Sequence, residues 1–356
     1  MTTYLLAGGG TAGHVNPLLA LAAEIRLREP DAVIIALGTE EGLESRLVPE
    51  AGFELVTVEK LPFPRKINKY AITFPARYAK SVTQVRSLIK SRSVDVVVGF
   101  GGYASAPAYE AAKGEKVPVV IHEANALPGM ANRRAAKFAR AVAVAFNGTG
   151  LPKAKLIGMP LRAEIVELLK QSDTATARRH FGLRADTFTL LVTGGSLGAK
   201  RINDTIEASR KVLAAAGIQV LHIVGGKSEL AEESGSSMVR LAYCDRMDLA
   251  IAAADLAVAR AGASTVSEFS AVGLPAVYVP YPVGNGEQAK NAKDAVAAGA
   301  ALLVADAAFT PEFVASKLIP LASDAKRLAK MKTAAREIGI SDATSRLYDL
   351  VHEVAK

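Results

Sequence analysis

Two observations predict the fold. Short apolar runs of strand length alternate with helical stretches, and a strand, glycine loop, helix, strand unit occurs twice in the same order. Strands that alternate with helices make a parallel sheet covered on both faces. A length of 356 residues, at roughly 100–200 residues per domain, suggests two such sheets. The prediction is therefore α/β, with two doubly wound, Rossmann-like domains facing across a cleft. The join is expected at Gly158-Met159-Pro160-Leu161, where Gly and Pro interrupt regular structure, giving domains 1–161 and 162–340. Ligands of open α/β sheets bind beyond the carboxyl ends of the strands, which directs attention to the loops there.

The elements follow in order. Tyr4-Leu5-Leu6-Ala7 reads as a buried strand running into Gly8-Gly9-Gly10-Thr11-Ala12-Gly13-His14, with a helix from Pro17 to Arg28. Asp95-Val96-Val97-Val98 leads to Gly101-Gly102 and a helix, and Val117 to Ile121 forms the next strand. In the second half, Phe188 to Val192 runs into Gly194-Gly195-Ser196-Leu197-Gly198-Ala199 and a helix from about Arg201. Asp255-Leu256-Ala257-Val258 leads to Gly262-Ala263-Ser264, and Leu274 to Tyr278 matches the strand after Val117.

Composition narrows the function. One Cys excludes an internal disulfide, and five His with that Cys offer no zinc cluster. The longest uncharged run, Met1 to Ala23, contains three successive Gly, His14, Asn16 and Pro17, so it reads neither as a membrane span nor as a signal peptide. A cytoplasmic location is expected. Residues 1–161 hold 20 basic and 13 acidic side chains, seven of the eight surplus charges. Nine basic residues and no acidic ones fall within residues 60–94: Lys60, Arg65, Lys66, Lys69, Arg77, Lys80, Arg86, Lys90 and Arg92. After Pro75 the pattern is helical, with Tyr78, Val82, Val85 and Ile89 on one face, while Ile72 and Phe74 are assigned to a preceding loop. No nucleic-acid-binding signature accompanies this patch, and no nucleic-acid partner is expected. Basic residues interleaved with exposed apolar ones suit an anionic membrane surface, where each Lys or Arg is worth roughly 1 kcal/mol.

Glycine turns at helix N-termini let a phosphate approach the backbone. Gly8-x-Gly10-x-x-Gly13 also matches the dinucleotide fingerprint literally, with Glu40 near the place of a ribose-binding acid, so a nicotinamide-dependent oxidoreductase is an alternative. His14 is a candidate base or a structural His bonded to its loop. Glu123, in His122-Glu123-Ala124-Asn125, is a candidate base or hydroxyl acceptor that His122 would orient. Glu268 is suited to the paired hydroxyls of a ribose, or else caps the turn at Ser264.

These motifs resemble those of the bacterial peptidoglycan N-acetylglucosaminyltransferases, which convert lipid I to lipid II. The carriers are Gly9 through Pro17, Gly101 through Pro107, His122 through Asn125, Gly158-Met159-Pro160-Leu161-Arg162, Gly194 through Ala199, and Arg260 through Glu268, in order over nearly the whole chain. The resemblance implies a glycosyltransferase fold of the B type, inverting, with no metal and no cofactor. It implies that the first domain takes the lipid I acceptor and touches the cytoplasmic face of the cell membrane peripherally through residues 60–92. It implies that the second domain binds UDP-N-acetylglucosamine, and that the C-terminal helix 341–356 packs back on the first domain. Cell-wall biogenesis, cell shape and division would depend on such an activity.

By motif, Thr11, Ala12 and Gly13 would face the donor and Asn125 the N-acetylglucosamine. Arg162 and Ser196 would meet the diphosphate, and the backbone at Cys244 the uracil, with Met247 nearby. Ala263, Ser264 and Thr265 would lie along the diphosphate, Glu268 would hold the ribose, and Gln288 the sugar hydroxyls. The chain departs from the family pattern at Ala12, where Gly is common, and at Glu287, where Gln is common. The catalytic base would be His14, with Glu123 second. A transferase of the same fold acting on another acceptor is the nearer alternative.

Overall fold

The computed structural model describes every residue of the chain except Arg65, Ser196, Leu197 and Ser236. It divides into two compact units, Met1–Arg162 with Asp342–Lys356, and Ala163–Ser341. The first contains β1 (Thr3–Gly8), α1 (Ala12–Arg28), β2 (Val33–Gly38), α2 (Glu44–Glu50), β3 (Glu54–Thr57), α3 (Lys69–Ser91), β4 (Val96–Gly101), α4 (Ser105–Gly114), β5 (Val119–Glu123), α5 (Met130–Ala135), β6 (Ala141–Val144) and β7 (Ala154–Leu156). Its seven strands run parallel in the order β3-β2-β1-β4-β5-β6-β7. The chain reverses direction of winding between β1 and β4, the switch point where doubly wound sheets bind ligands. There the pairing shifts register, Ala7 facing Gly99 and Gly8 facing Gly101.

Strands buried on both faces need unbroken apolar runs, which is why β4 carries no polar side chain and β1 has polar groups only at its start, in Thr3 and the Tyr4 hydroxyl. Successive side chains alternate between two cores. Leu5, Ala7, Val97 and Ile121 pack with Val85 and Ile89 of α3. Tyr4, Leu6, Val96 and Val98 pack with Leu18, Leu21 and Ile25 of α1 and with Leu347 and Val351 of the C-terminal helix, Ala343–Ala355. Glu29 pins that helix, taking hydrogen bonds from Tyr4 (2.7 Å), Tyr348 (2.9 Å) and His352 (2.9 Å).

Two expectations need correction. Helix α1 begins at Ala12, so Pro17 lies within it and His14 sits in its first turn. Helix α3 begins at Lys69, capped by the Asn68 side chain accepting from the Ala71 N–H, so Ile72 and Phe74 are helical. Pro75 falls in the second turn of α3, where it removes the N–H that would bond the Ala71 carbonyl. Phe74 is half-buried, its ring 5.6 Å from Phe63, 6.0 Å from Tyr70 and 5.8 Å from Tyr78.

The second unit contains α6 (Ala163–Lys170), α7 (Thr174–His180), β8 (Thr189–Thr193), α8 (Lys200–Ala208), α9 (Arg210–Ala215), β9 (Gln219–Ile223), β10 (Glu233–Ser234), β11 (Met238–Leu241), α10 (Met247–Ala253), β12 (Leu256–Ala259), α11 (Ala263–Val272), β13 (Ala276–Tyr278), α12 (Glu287–Asn291) and β14 (Ala301–Leu303). The order is β10-β11-β9-β8-β12-β13-β14, the winding of the first unit with a short antiparallel edge at β10. The two units share one local device. Asp95 accepts the Thr3 N–H at 2.8 Å beside β1, and Asp255 accepts the Thr189 N–H at 2.7 Å beside β8. None of the described helices is long and apolar enough to cross a membrane.

Candidate functional site

In the first unit, the loops after β1, β4 and β5 meet at the switch point. Gly10 has φ +88°, which turns the chain into α1, and Thr11 to Gly13 lie exposed or half-buried in the turn and first residues of the helix. His14 is half-buried, its Nδ1 3.0 Å from the Gly9 carbonyl oxygen and 3.3 Å from Thr11 Oγ1. A carbonyl oxygen only accepts, so Nδ1 carries the proton in that bond. Nε2 of the neutral ring then holds a lone pair. Gly101 (φ +92°) lies beside it, and a Cβ there would stand 3.1 Å from Nε2. Ser105 ties the same corner together, accepting the Gly101 N–H at 3.1 Å and standing 2.8 Å from the Ala7 carbonyl oxygen.

One N–H of the first glycine loop is held by a side chain: the Glu44 carboxylate accepts the Gly10 N–H at 2.8 Å and both the N–H and hydroxyl of Thr39 at 2.8 Å. A Cβ on Gly9 would collide with that carboxylate. The Gly10 N–H is thus committed to a side chain of the same unit, and Glu40 lies exposed, its carboxylate 3.4 Å from the Thr57 hydroxyl.

His122 and Glu123 end β5, on opposite faces of the sheet, and both are buried. His122 does not orient Glu123. Its Nε2 bonds the Gly158 carbonyl oxygen at 2.9 Å, anchoring the Gly158–Leu161 segment, and burial pushes its pKa down to about 4. Burial raises the Glu123 pKa, against hydrogen bonds from the Asn125 N–H (2.9 Å), Asn132 Nδ2 (2.9 Å) and the Gly129 N–H (3.0 Å). Those bonds hold the loop that carries half-buried Asn125. Arg162, also half-buried, is the last residue of this unit before the chain enters the second.

In the second unit, the loop after β8 has Gly195 (φ +86°) and Gly198 (φ +82°), and a side chain on Gly198 would strike the Val224 carbonyl. Ser196, expected at the diphosphate, lies outside the described residues. Helix α11 opens at Ala263 after Gly262, with Ser264 and Thr265 half-buried in its first turn. The Ser264 hydroxyl is buried without a hydrogen-bond partner. Glu268 is buried one turn further on, beyond the third helical position at which a capping carboxylate acts. Gln288 gives its Oε1 to the Tyr281 N–H at 2.9 Å, leaving the amide NH2 to donate. Cys244 is buried after β11 and lines a groove of about 790 Å3 with Tyr243, Arg246 and His180, and Met247 starts α10. Among the described residues, none of the other expected donor residues lines that groove.

Glu44 belongs to none of the sequence motifs, and Arg260 opens one without a role assigned to it. Arg260 is nine-tenths buried, its Nη1 bonding the Val279 (2.9 Å) and Pro280 (3.0 Å) carbonyls and Asp306 (2.6 Å), which fixes the corner below α11. The basic stretch also reads differently in space. Arg77 pairs with Glu59, Arg92 with Glu54, Lys60 with Glu41 at 3.3 Å, and Lys90 with Glu115 at 3.3 Å. Among the described residues Lys66 and Lys69 make no ion pair, and they are exposed, as are Phe63, Ile67 and Ile72.

The chain matches the glycosyltransferase family 28 N-terminal domain over residues 4–144 and the C-terminal domain over 189–354, which makes its two doubly wound units a glycosyltransferase of the B-type fold. The chain belongs to the family of UDP-N-acetylglucosamine--N-acetylmuramyl-(pentapeptide) pyrophosphoryl-undecaprenol N-acetylglucosamine transferases. It is 56% identical to the member from Clavibacter sepedonicus over 354 residues, covering 99% of this chain and 96% of that one. It is 48% identical to the Streptomyces coelicolor member over 353 residues, covering 98% and 97%. Among solved structures, MurG of Acinetobacter baumannii superposes with TM-score 0.79 at 27% identity, over 99% of this chain and all of that one. The kitacinnamycin glycosyltransferase, at TM-score 0.71 and 18% identity over 100% and 99% of the chains, shares the fold.

Proposed function

We propose that this protein transfers N-acetylglucosamine from UDP-N-acetylglucosamine to the 4-hydroxyl of the muramoyl sugar of undecaprenyl-diphospho-muramoyl-pentapeptide, making lipid II for peptidoglycan. Full-length identity of 56% to a transferase of that name carries the reading. The reaction is a direct displacement at the anomeric carbon from the face opposite UDP. His14 Nε2 takes the proton of the attacking hydroxyl. The Nδ1 contact with Gly9 supports this role, since it leaves Nε2 as the acceptor. A positioned base contributes about 10²–10⁴-fold. Glu123 is the weaker candidate, because its oxygens already serve three N–H donors.

The first unit takes the lipid acceptor and the second the donor. Within the second, Glu268 holds the ribose hydroxyls, the first turn of α11 and the Gly194–Ala199 loop meet the diphosphate, and the Gln288 amide donates to the sugar. Dipoles aimed at the leaving diphosphate stabilise the charge it gains. Phe63, Ile67 and Ile72 enter the acyl boundary of an anionic, cytoplasm-facing membrane while Lys66 and Lys69 meet its headgroups, bringing the enzyme to a lipid-linked substrate. Turnover and UDP-N-acetylglucosamine affinity of His14→Ala test the base. Turnover near that of wild type excludes His14 from the role.

A further inference from the structure

Glu44 is wholly buried at the start of α2, and three glycines make room for it. A Cβ on Gly9, Gly38 or Gly42 would overlap its side chain. A carboxylate removed from water must be satisfied by donors. Among the described residues no cationic side chain pairs with Glu44; its donors are Thr39 and the Gly10 N–H. That N–H belongs to the peptide unit whose carbonyl is Gly9, and the Gly9 oxygen is the acceptor for His14 Nδ1. Carboxylate, peptide and imidazole therefore form one chain of hydrogen bonds.

We propose that Glu44 is a positioning residue for His14, acting through the single peptide unit that joins Gly9 to Gly10. A negative charge on the N–H side polarises the amide and strengthens its carbonyl as an acceptor, as hydrogen bonds in series do. The stronger acceptor holds the proton on Nδ1 and fixes the plane of the ring, so that the Nε2 lone pair keeps one direction. The arrangement resembles the carboxylate that orients an imidazole in a hydrolytic triad, with a peptide interposed. Its catalytic consequence rests on His14 being the base; the hold on the imidazole does not.

The test compares wild type, Glu44→Gln and Thr39→Val in full-length protein. A carboxylate accepts at both oxygens, whereas a Gln amide must turn its NH2 toward either Thr39 or Gly10, donor against donor. Thr39→Val removes one hydrogen bond to the same carboxylate and leaves the Gly10 contact. Nitrogen-15 shifts of the neutral His14 ring are expected to report a proton on Nδ1 in wild type and in Thr39→Val, and a mixture of tautomers in Glu44→Gln. The kcat of Glu44→Gln is expected to fall about 10- to 100-fold with the KM for UDP-N-acetylglucosamine within about threefold of wild type. Unchanged His14 shifts in Glu44→Gln overturn the proposal whatever happens to kcat, and so do equal changes in Thr39→Val. A fall in kcat with altered shifts supports it. Should Glu44→Gln fail to fold, wild type alone decides: the Gly10 amide proton must move as His14 titrates, and a Gly10 signal indifferent to His14 overturns the relay. Wild-type turnover in His14→Ala would remove the base while leaving these shifts to be judged separately.

Discussion

A Cβ on Gly102 would stand 2.5 Å from the carbonyl oxygen of Gly9. Gly102 also has φ +84°, a conformation that L side chains rarely adopt. The second glycine loop thus packs directly on the atom that accepts from His14. Gly102→Ala should lower stability by about 2–4 kcal/mol and reduce kcat by displacing Gly9. Thermal unfolding and steady-state kinetics check it; a variant with the midpoint and kcat of wild type would show that the loops do not touch.

The proposed membrane contact sets Lys66 and Lys69 against the headgroups beside Ile67 and Ile72. Lys66→Glu with Lys69→Glu should weaken binding to anionic vesicles by about 2 kcal/mol or more, at roughly 1 kcal/mol per charge removed. Arg77→Glu should add less, because Glu59 already neutralises Arg77. Vesicle sedimentation measures both, and unchanged binding of the double variant would return the patch to an ordinary solvated surface.

How far the sequence was legible follows from what it encodes locally. Apolar strand runs and the duplicated strand–loop–helix unit are local, and they foretold both sheets. The bond of Asp95 to Thr3 and of Asp255 to Thr189 gives the repeated Asp at the strand starts a physical reason. Partners distant in sequence were not legible. Glu44 lies 34 residues from Gly10, so the literal dinucleotide fingerprint concealed a loop that holds its own carboxylate. The acid-free basic stretch concealed its pairing with Glu41, Glu54, Glu59 and Glu115 from elsewhere in the chain. His122 read as a partner for Glu123 because adjacent residues are adjacent on paper, whereas a strand sends them to opposite faces.

Burial pushes His122 and His222 each down to about 4. Unfolded His titrates near 6.5, so between these values the unfolded chain binds more protons and stability falls as the pH is lowered. The contribution is fully present above about pH 6.5 and is lost toward pH 4, on the order of 3 kcal/mol per histidine. Urea midpoints from pH 7.5 to 5 should decline, and His222→Asn should flatten the decline. A midpoint constant over that range would contradict neutral burial.

Glu268 is buried on α11 in the unit assigned to the donor. A carboxylate bonded to two ribose hydroxyls is worth about 1.5–3 kcal/mol, so Glu268→Gln should weaken UDP binding about 10- to 100-fold. Calorimetric titration with UDP reads the change, with uracil alone as the control expected to be indifferent. Equal UDP affinity in the variant would take the ribose away from Glu268.

Purified protein, given UDP-N-acetylglucosamine labelled in the sugar, should move label onto a lipid I analogue with inversion to the β-anomer, and should leave a soluble sugar acceptor unlabelled. Label appearing on the soluble acceptor in preference to the lipid I analogue would mean that the lipid-linked muramoyl sugar is not the acceptor.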